Sequence, residues 1–156
     1  MKESKGFIKN IRGSNIDINT NLDLGKLPPQ ALDLEESVLG ALMLEKDALT
    51  NVIDILKPEN FYKDANKEIY QSIIDLFNDS EPIDLLTVTS QLKKNGKLEY
   101  VGGSFYVTQL TTRVNSASNI EYHARIILEQ SIKRQLIEVS GEVQKEAYED
   151  TTDVFD

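Results

Sequence analysis

The chain has 156 residues, 40% of them apolar and 28% charged, and carries a net charge of −9 from 26 acidic and 17 basic side chains. That is one domain's worth of chain with enough apolar material for a core. It has no cysteine for a disulfide or thiolate metal site, no apolar run near the roughly 18 residues of a membrane span, and no basic cluster suited to duplex binding by this chain alone.

Residues 1–27 read as a disordered tail, because Asn, Lys, Ser, Asp and Gly dominate and the few apolar residues keep no period. Pro28-Pro29 is a stiff joint into a helical head over 28–115. A first helix is predicted from Leu34 to about Glu45, with Asp33 and Glu36 as a capping pair and Val38, Leu39, Leu42 and Met43 as its apolar stripe. A short second helix is predicted near Ala48 to Leu56, ending before Pro58. Asp64 caps a third, whose inner face holds Ile69, Tyr70, Ile73, Leu76 and Phe77. Asp84 reads as the N-cap of a fourth helix that ends at Asn95-Gly96. Gly102-Gly103 opens a fifth, carrying Phe105, Tyr106, Val107 and Leu110. Strict alternation never persists, so the fold class is all-α.

A long helix is predicted over 116–150, opened by a capping box at Ser118-Asn119-Ile120-Glu121. Ile120, Ala124, Leu128, Ile132, Leu136, Val139 and Val143 form an apolar seam along it, and Glu121 with Arg125 and Glu129 with Lys133 are favourable i,i+4 pairs. At 1.5 Å per residue the helix over 119–148 is about 45 Å long, more than a compact head can cover. The distal seam from Leu136 to Val143 therefore needs another helix or another chain. Residues 151–156, acidic with Thr and Asp, announce a fresh helix, the start of a second arm cut short.

Catalytic signals are missing. Gly96-Lys97 and Gly102-Gly103 lack the remaining elements of a phosphate-cradling loop and read as helix punctuation. His123 is the single histidine, which leaves no triad or His-based metal cluster, and it reads as a solvated residue. The carboxylates of Glu35-Glu36 and of Glu138, Glu142 and Glu146 read as solvated helix faces. Tyr70, Phe77, Phe105 and Tyr106 fall at core spacing and do not suggest a base-stacking platform. The densest basic spots, Lys93-Lys94-Lys97 and Lys133-Arg134, are small, so the acidic balance favours a partner with a basic face.

Six ordered stretches carry a family likeness: Pro28-Pro29 before Leu34-Glu35-Glu36-Ser37-Val38-Leu39-Gly40; Pro58-Glu59-Asn60-Phe61-Tyr62; Pro82-Ile83-Asp84-Leu85-Leu86-Thr87-Val88; Leu98-Glu99-Tyr100-Val101-Gly102-Gly103; Ser116-Ala117-Ser118-Asn119-Ile120-Glu121-Tyr122; and Lys133-Arg134-Gln135-Leu136-Ile137. Over 27–156 the chain resembles the N-terminal domain of the bacterial replicative helicases, the DnaB helicase family. It departs from that pattern at Asn66, where the family often has His, and at His123, where it often has Tyr.

The resemblance implies a helical head plus the first arm of a helical hairpin. It also implies a noncatalytic collar on a homohexamer, cytoplasmic and at the replication fork, that docks the C-terminal domain of primase. ATP, Mg and DNA contacts would belong to RecA-like motors outside this chain, and the domain itself would hold no cofactor or metal and touch no membrane. Leu136, Val139 and Val143 are then candidates for hairpin or subunit packing, and Arg125, Glu129, Lys133 and Arg134 for a polar rim or partner contacts. The alternatives are a helicase-binding domain of primase, an unrelated helical adaptor or regulator and, more distantly, a metal-carboxylate enzyme.

Overall fold

The computed structural model describes residues 25–114, 117–149 and Phe155. The expectations of a tail before residue 25 and of a second arm over 151–156 lie outside the described residues, Phe155 excepted. Among the described residues there are five α-helices and no strand, the all-α class that the sequence predicts.

The first helix, α1 (Leu32–Leu44), is apolar around its whole circumference in its second half, and all six residues from Val38 to Met43 are buried. A helix of that kind belongs at the centre of a domain, and α1 packs against α2 (Asp64–Asn78), α4 (Gly103–Thr112) and the long helix α5 (Ile120–Tyr148). Gly40 permits the close crossing with α4: a Cβ there would press on the Leu110 carbonyl and the Val114 side chain. The predicted capping pair does not form. The helix begins one residue earlier than Asp33, with Ala31 as N-cap and no side-chain cap, and Glu36 is drawn instead to Lys63 and Arg113.

The helix expected over Ala48 to Leu56 is a 3-10 turn, Ala48–Asn51, followed by further turns. Asn51, Val52 and Ile53 are modest helix formers and the segment is too short to nucleate a helix on its own. Its buried Leu49, Val52 and Leu56 pin it to the core in a tighter path. A second 3-10 turn, Pro58–Asn60, leads to α2. Asp64 is the first residue of α2 and pairs with Lys67 at 3.2 Å; it does not cap the helix. Ile69, Tyr70, Ile73 and Leu76 form the buried face, but Phe77 is 41% exposed, outside the core the sequence assigned it.

Asp84 caps α3 (Leu85–Lys94) as predicted, its Oδ1 accepting from the amides of Leu86 at 2.8 Å and Thr87 at 2.9 Å. Gly102, at φ 107°, is the left-handed N-cap of α4, a conformation that costs glycine no steric penalty. Val107 and Leu110 of α4 are fully buried, whereas Phe105 is 79% exposed, again against expectation. The long helix exists, 29 residues and about 44 Å at 1.5 Å per residue.

Candidate interaction surface

The long helix α5 carries two apolar faces rather than one continuous seam. Ile120, Ala124, Ile127 and Ser131 are buried against the head. Leu136, Ile137, Val139 and Val143 are all more than half exposed, and Ile132 nearly so. Steps of four residues advance a helix by about 400°, so a run of them rotates by roughly 40° each time. Four such steps from Ile120 bring Leu136 far around the axis. Ile132, Leu136, Val139 and Val143 thus form a second stripe, turned about 120° from the head-packing face. Ile137 lies on another side, where with Leu136, Ser140, Gly141 and Gln144 it borders a shallow depression.

The four polar candidates divide in the same way. Arg125, Glu129 and Lys133 lie on the outer surface beside the second stripe. Arg125 pairs with Glu121 at 2.8 Å and Lys133 with Glu129 at 2.6 Å. These exposed i,i+4 pairs support the helix by only a few tenths of a kcal/mol each, ~0.2–0.5, and leave it polar on that side. Arg134 turns toward the head. Its two terminal nitrogens donate to the carbonyls of Pro29 and Asn60, each at 2.7 Å, and the guanidinium stands 5.4 Å from the centre of the Tyr62 ring. Its two terminal nitrogens thereby tie the long helix to the entry of α1 and to the second 3-10 turn.

Beneath this surface lies a polar network around Glu35 and Glu36, two carboxylates that the sequence reading placed in solvent. Glu35 is buried to 1% exposure. Its carboxylate accepts from the Tyr62 amide at 2.6 Å, the Lys63 amide at 3.4 Å and the Asn66 side-chain amide at 2.9 Å. It therefore supplies, from α1, acceptors at the mouth of α2, where free amides and the helix dipole favour a carboxylate. Asn66 Oδ1 accepts from the Tyr106 hydroxyl at 2.7 Å, and Lys63 Nζ donates to that hydroxyl at 2.8 Å. Glu36, mostly covered, meets Lys63 at 3.8 Å and bonds Arg113. Burial pushes the Tyr106 phenol well above its ordinary range, and the Glu36 charge adds to the effect. Among the described residues no buried side-chain polar atom lacks a partner.

This arrangement clamps the helices of the head together. The network joins α1, α2 and α4 through satisfied hydrogen bonds. Among the described residues there is no group of three His, Cys, Asp or Glu placed to hold a metal, and no helix is long and apolar enough to cross a membrane. The buried role of Glu35 had one faint sequence signal, its place in an otherwise apolar face of α1. Arg134 had none, since its partners are backbone carbonyls 74 and 105 residues away.

Residues 27–129 match the family model of the DnaB-like helicase N-terminal domain. The chain is 45% identical over 132 residues to the replicative DNA helicase DnaB of Rhodothermus marinus, an alignment that covers 85% of this chain and 14% of that protein. It is 40% identical over 137 residues to the replicative DNA helicase DnaC of Bacillus subtilis strain 168, covering 88% and 30% respectively. The chain thus spans less than a third of the length of these relatives. In three dimensions it is similar to the N-terminal domain of DnaB helicase from Mycobacterium tuberculosis, with TM-score 0.78 and 38% identity over 82% of this chain and 90% of that one. The corresponding Helicobacter pylori domain, whose interactions with primase were studied with its structure, has TM-score 0.66 over 75% of this chain and 91% of that one. Its identity is 21%, a likeness of fold.

Proposed function

Because this chain belongs to the DnaB-like helicase N-terminal domain family, we propose that it is the noncatalytic collar of a hexameric, ATP-dependent replicative helicase acting in the bacterial cytoplasm. In this reading the domain holds subunits together and docks the C-terminal domain of primase. ATP, Mg and single-stranded DNA are handled by motor domains elsewhere in the parent protein. Family membership disposes of the unrelated adaptor and of the primase-derived alternative.

The observation that carries the reading is the second apolar stripe of α5. Leu136, Val139 and Val143 stand 63%, 55% and 59% exposed on a helix whose other apolar face is already used by the head. Leaving such side chains in water forgoes roughly 1.5–3 kcal/mol each relative to full burial, which a second arm or a neighbouring subunit would recover. Arg125, Glu129 and Lys133 would edge that contact, and Arg134 would serve it by fixing the angle at which α5 leaves the head.

Val139→Asp in the full-length helicase puts a carboxylate in the middle of this stripe, at a cost of several kcal/mol if the stripe is covered. The expected outcome is loss of the hexamer in native mass measurement with the head still folded by circular dichroism. A hexamer of unchanged mass overturns the assembly role. Calorimetric titration with the same organism's primase C-terminal domain tests docking separately, and absence of heat there removes primase from the proposal.

A further inference from the structure

The head has an open cleft of ≈ 460 Å³ at the C-terminal end of α1, where it faces the connection between α2 and α3. Its apolar lining includes Leu44 and Phe77, 54% and 41% exposed, together with Pro82 and Ile83. Its rim carries Glu45, Asp47, Glu81 and Asp84 against one cation, Lys46. Asp84 is occupied with its cap and Glu45 with the Ala117 amide. Among the described residues the carboxylates of Asp47 and Glu81 enter no ion pair and accept no hydrogen bond. Exposed apolar surface inside an acidic rim suits a segment that alternates apolar anchors with cations.

The chain itself contains such a segment. Residues 5–12 read Lys5-Gly6-Phe7-Ile8-Lys9-Asn10-Ile11-Arg12, three cations interleaved with three large apolar side chains and no acid. We propose that this segment docks in cis into the cleft, with Phe7 or Ile8 against Phe77 and Leu44, and Lys9 or Arg12 against Glu81 and Asp47.

The distances permit it. The Arg134 bond to the Pro29 carbonyl fixes the chain at the N-terminal end of α1, and the cleft lies at the other end of that 13-residue helix, about 20 Å away at 1.5 Å per residue. Sixteen residues separate Arg12 from Pro29. A linker of that length reaches at most about 53–58 Å, well beyond the distance to the cleft. A tether long enough to reach a site on its own chain raises the local concentration of its end there, so weak contacts suffice for occupancy. Docking would keep the apolar anchors of the tail and the cleft out of other contacts until something displaces the segment.

Lys5, Lys9 and Arg12 are tryptic sites, so limited trypsinolysis of the intact chain reads the docked fraction directly. Cleavage that tracks the undocked population should accelerate roughly tenfold in the Asp47→Asn/Glu81→Gln double variant. Asn tolerates the left-handed backbone of residue 47, and neither change adds a cleavage site. Glu99→Gln, exposed and away from the cleft, should leave the rate as it was. Equal rates in all three proteins overturn the proposal. So does protection that survives the double variant, which would place the segment elsewhere. Protection that rises with protein concentration also overturns it, because the segment would then dock on a second copy.

Discussion

Replacing Glu35 by Ala removes the acceptor through which α1 holds the mouth of α2. In the native chain the carboxylate is 1% exposed and takes three hydrogen bonds, two of them short: 2.6 Å from the Tyr62 amide and 2.9 Å from the Asn66 side chain. The Lys63 amide at 3.4 Å adds a weaker third. In the variant, the Tyr62 amide and the fully buried Asn66 lose a partner that water cannot easily replace. Each stranded donor costs about 1–3 kcal/mol. Counting two of them in full, the loss is about 2–6 kcal/mol. In a domain of this size that lowers Tm by roughly 10 °C. The assay is urea denaturation followed by circular dichroism, with Glu35→Gln beside it. Gln keeps one acceptor oxygen but turns an amide donor toward another donor, so it should lose about half as much. A loss below about 1 kcal/mol for Glu35→Ala refutes the reasoning, because it would mean that the freed donors find water or that the carboxylate holds nothing in place.

Three further outcomes follow from the same structure. Gly40→Ala should destabilise by about 1–3 kcal/mol by pushing α1 away from the Leu110 carbonyl, measurable in the same urea melts. Arg134→Ala should cost about 1.5–3 kcal/mol through its two charge-assisted bonds to the Pro29 and Asn60 carbonyls, and Arg134→Lys should recover no more than part of it because an ammonium cannot reproduce the fork. Tyr70 is fully buried, and burial alone raises its phenol far above the ordinary value of 10.0. The unfolded chain therefore releases this proton above pH 10 while the folded chain keeps it, so the contribution is intact below pH 10 and declines above it by about 1.4 kcal/mol per pH unit; Tyr70→Phe should show a correspondingly shallower alkaline loss.

The sequence was a good guide where a signal was local. Asp84 two residues after Pro82, Asn95-Gly96 and Gly102-Gly103 each fix a helix end through their own backbone and side-chain chemistry, and each lies where it was expected. Local rules failed where a distant group competed for the same atoms. Glu36 could have closed a capping box on α1, but Lys63 and Arg113 claim it. Asp64 could have capped α2, but the amides leading into that helix are served by Glu35 from another helix. Counting apolar residues by fours likewise hid the rotation of α5. The spacing was right residue by residue, but on a helix of 3.6 residues per turn it describes a spiral, so the stripe that meets the head and the stripe that faces outward are different faces.

That separation leaves one face of the helix for the folded head and, in the proposed function, another for an outside partner. Up to Ser131 the inward face is buried, and Arg134 makes the last strong bond back to the head. Residues 135–148 then run on with every side chain exposed, about 21 Å of helix at 1.5 Å per residue. A free-standing helix shorter than about 12–15 residues is marginal in water, and this length is held chiefly by continuity with the packed half. Its order and its apolar contact are therefore coupled: whatever covers Leu136, Val139 and Val143 also stabilises the helical form of the segment that bears them. The buried network around Glu35 and the Arg134 strut keep the base of that lever rigid, so that the stripe emerges at a fixed angle. In the proposed function the ionisable groups set direction, and the exposed aliphatic side chains would supply the contact.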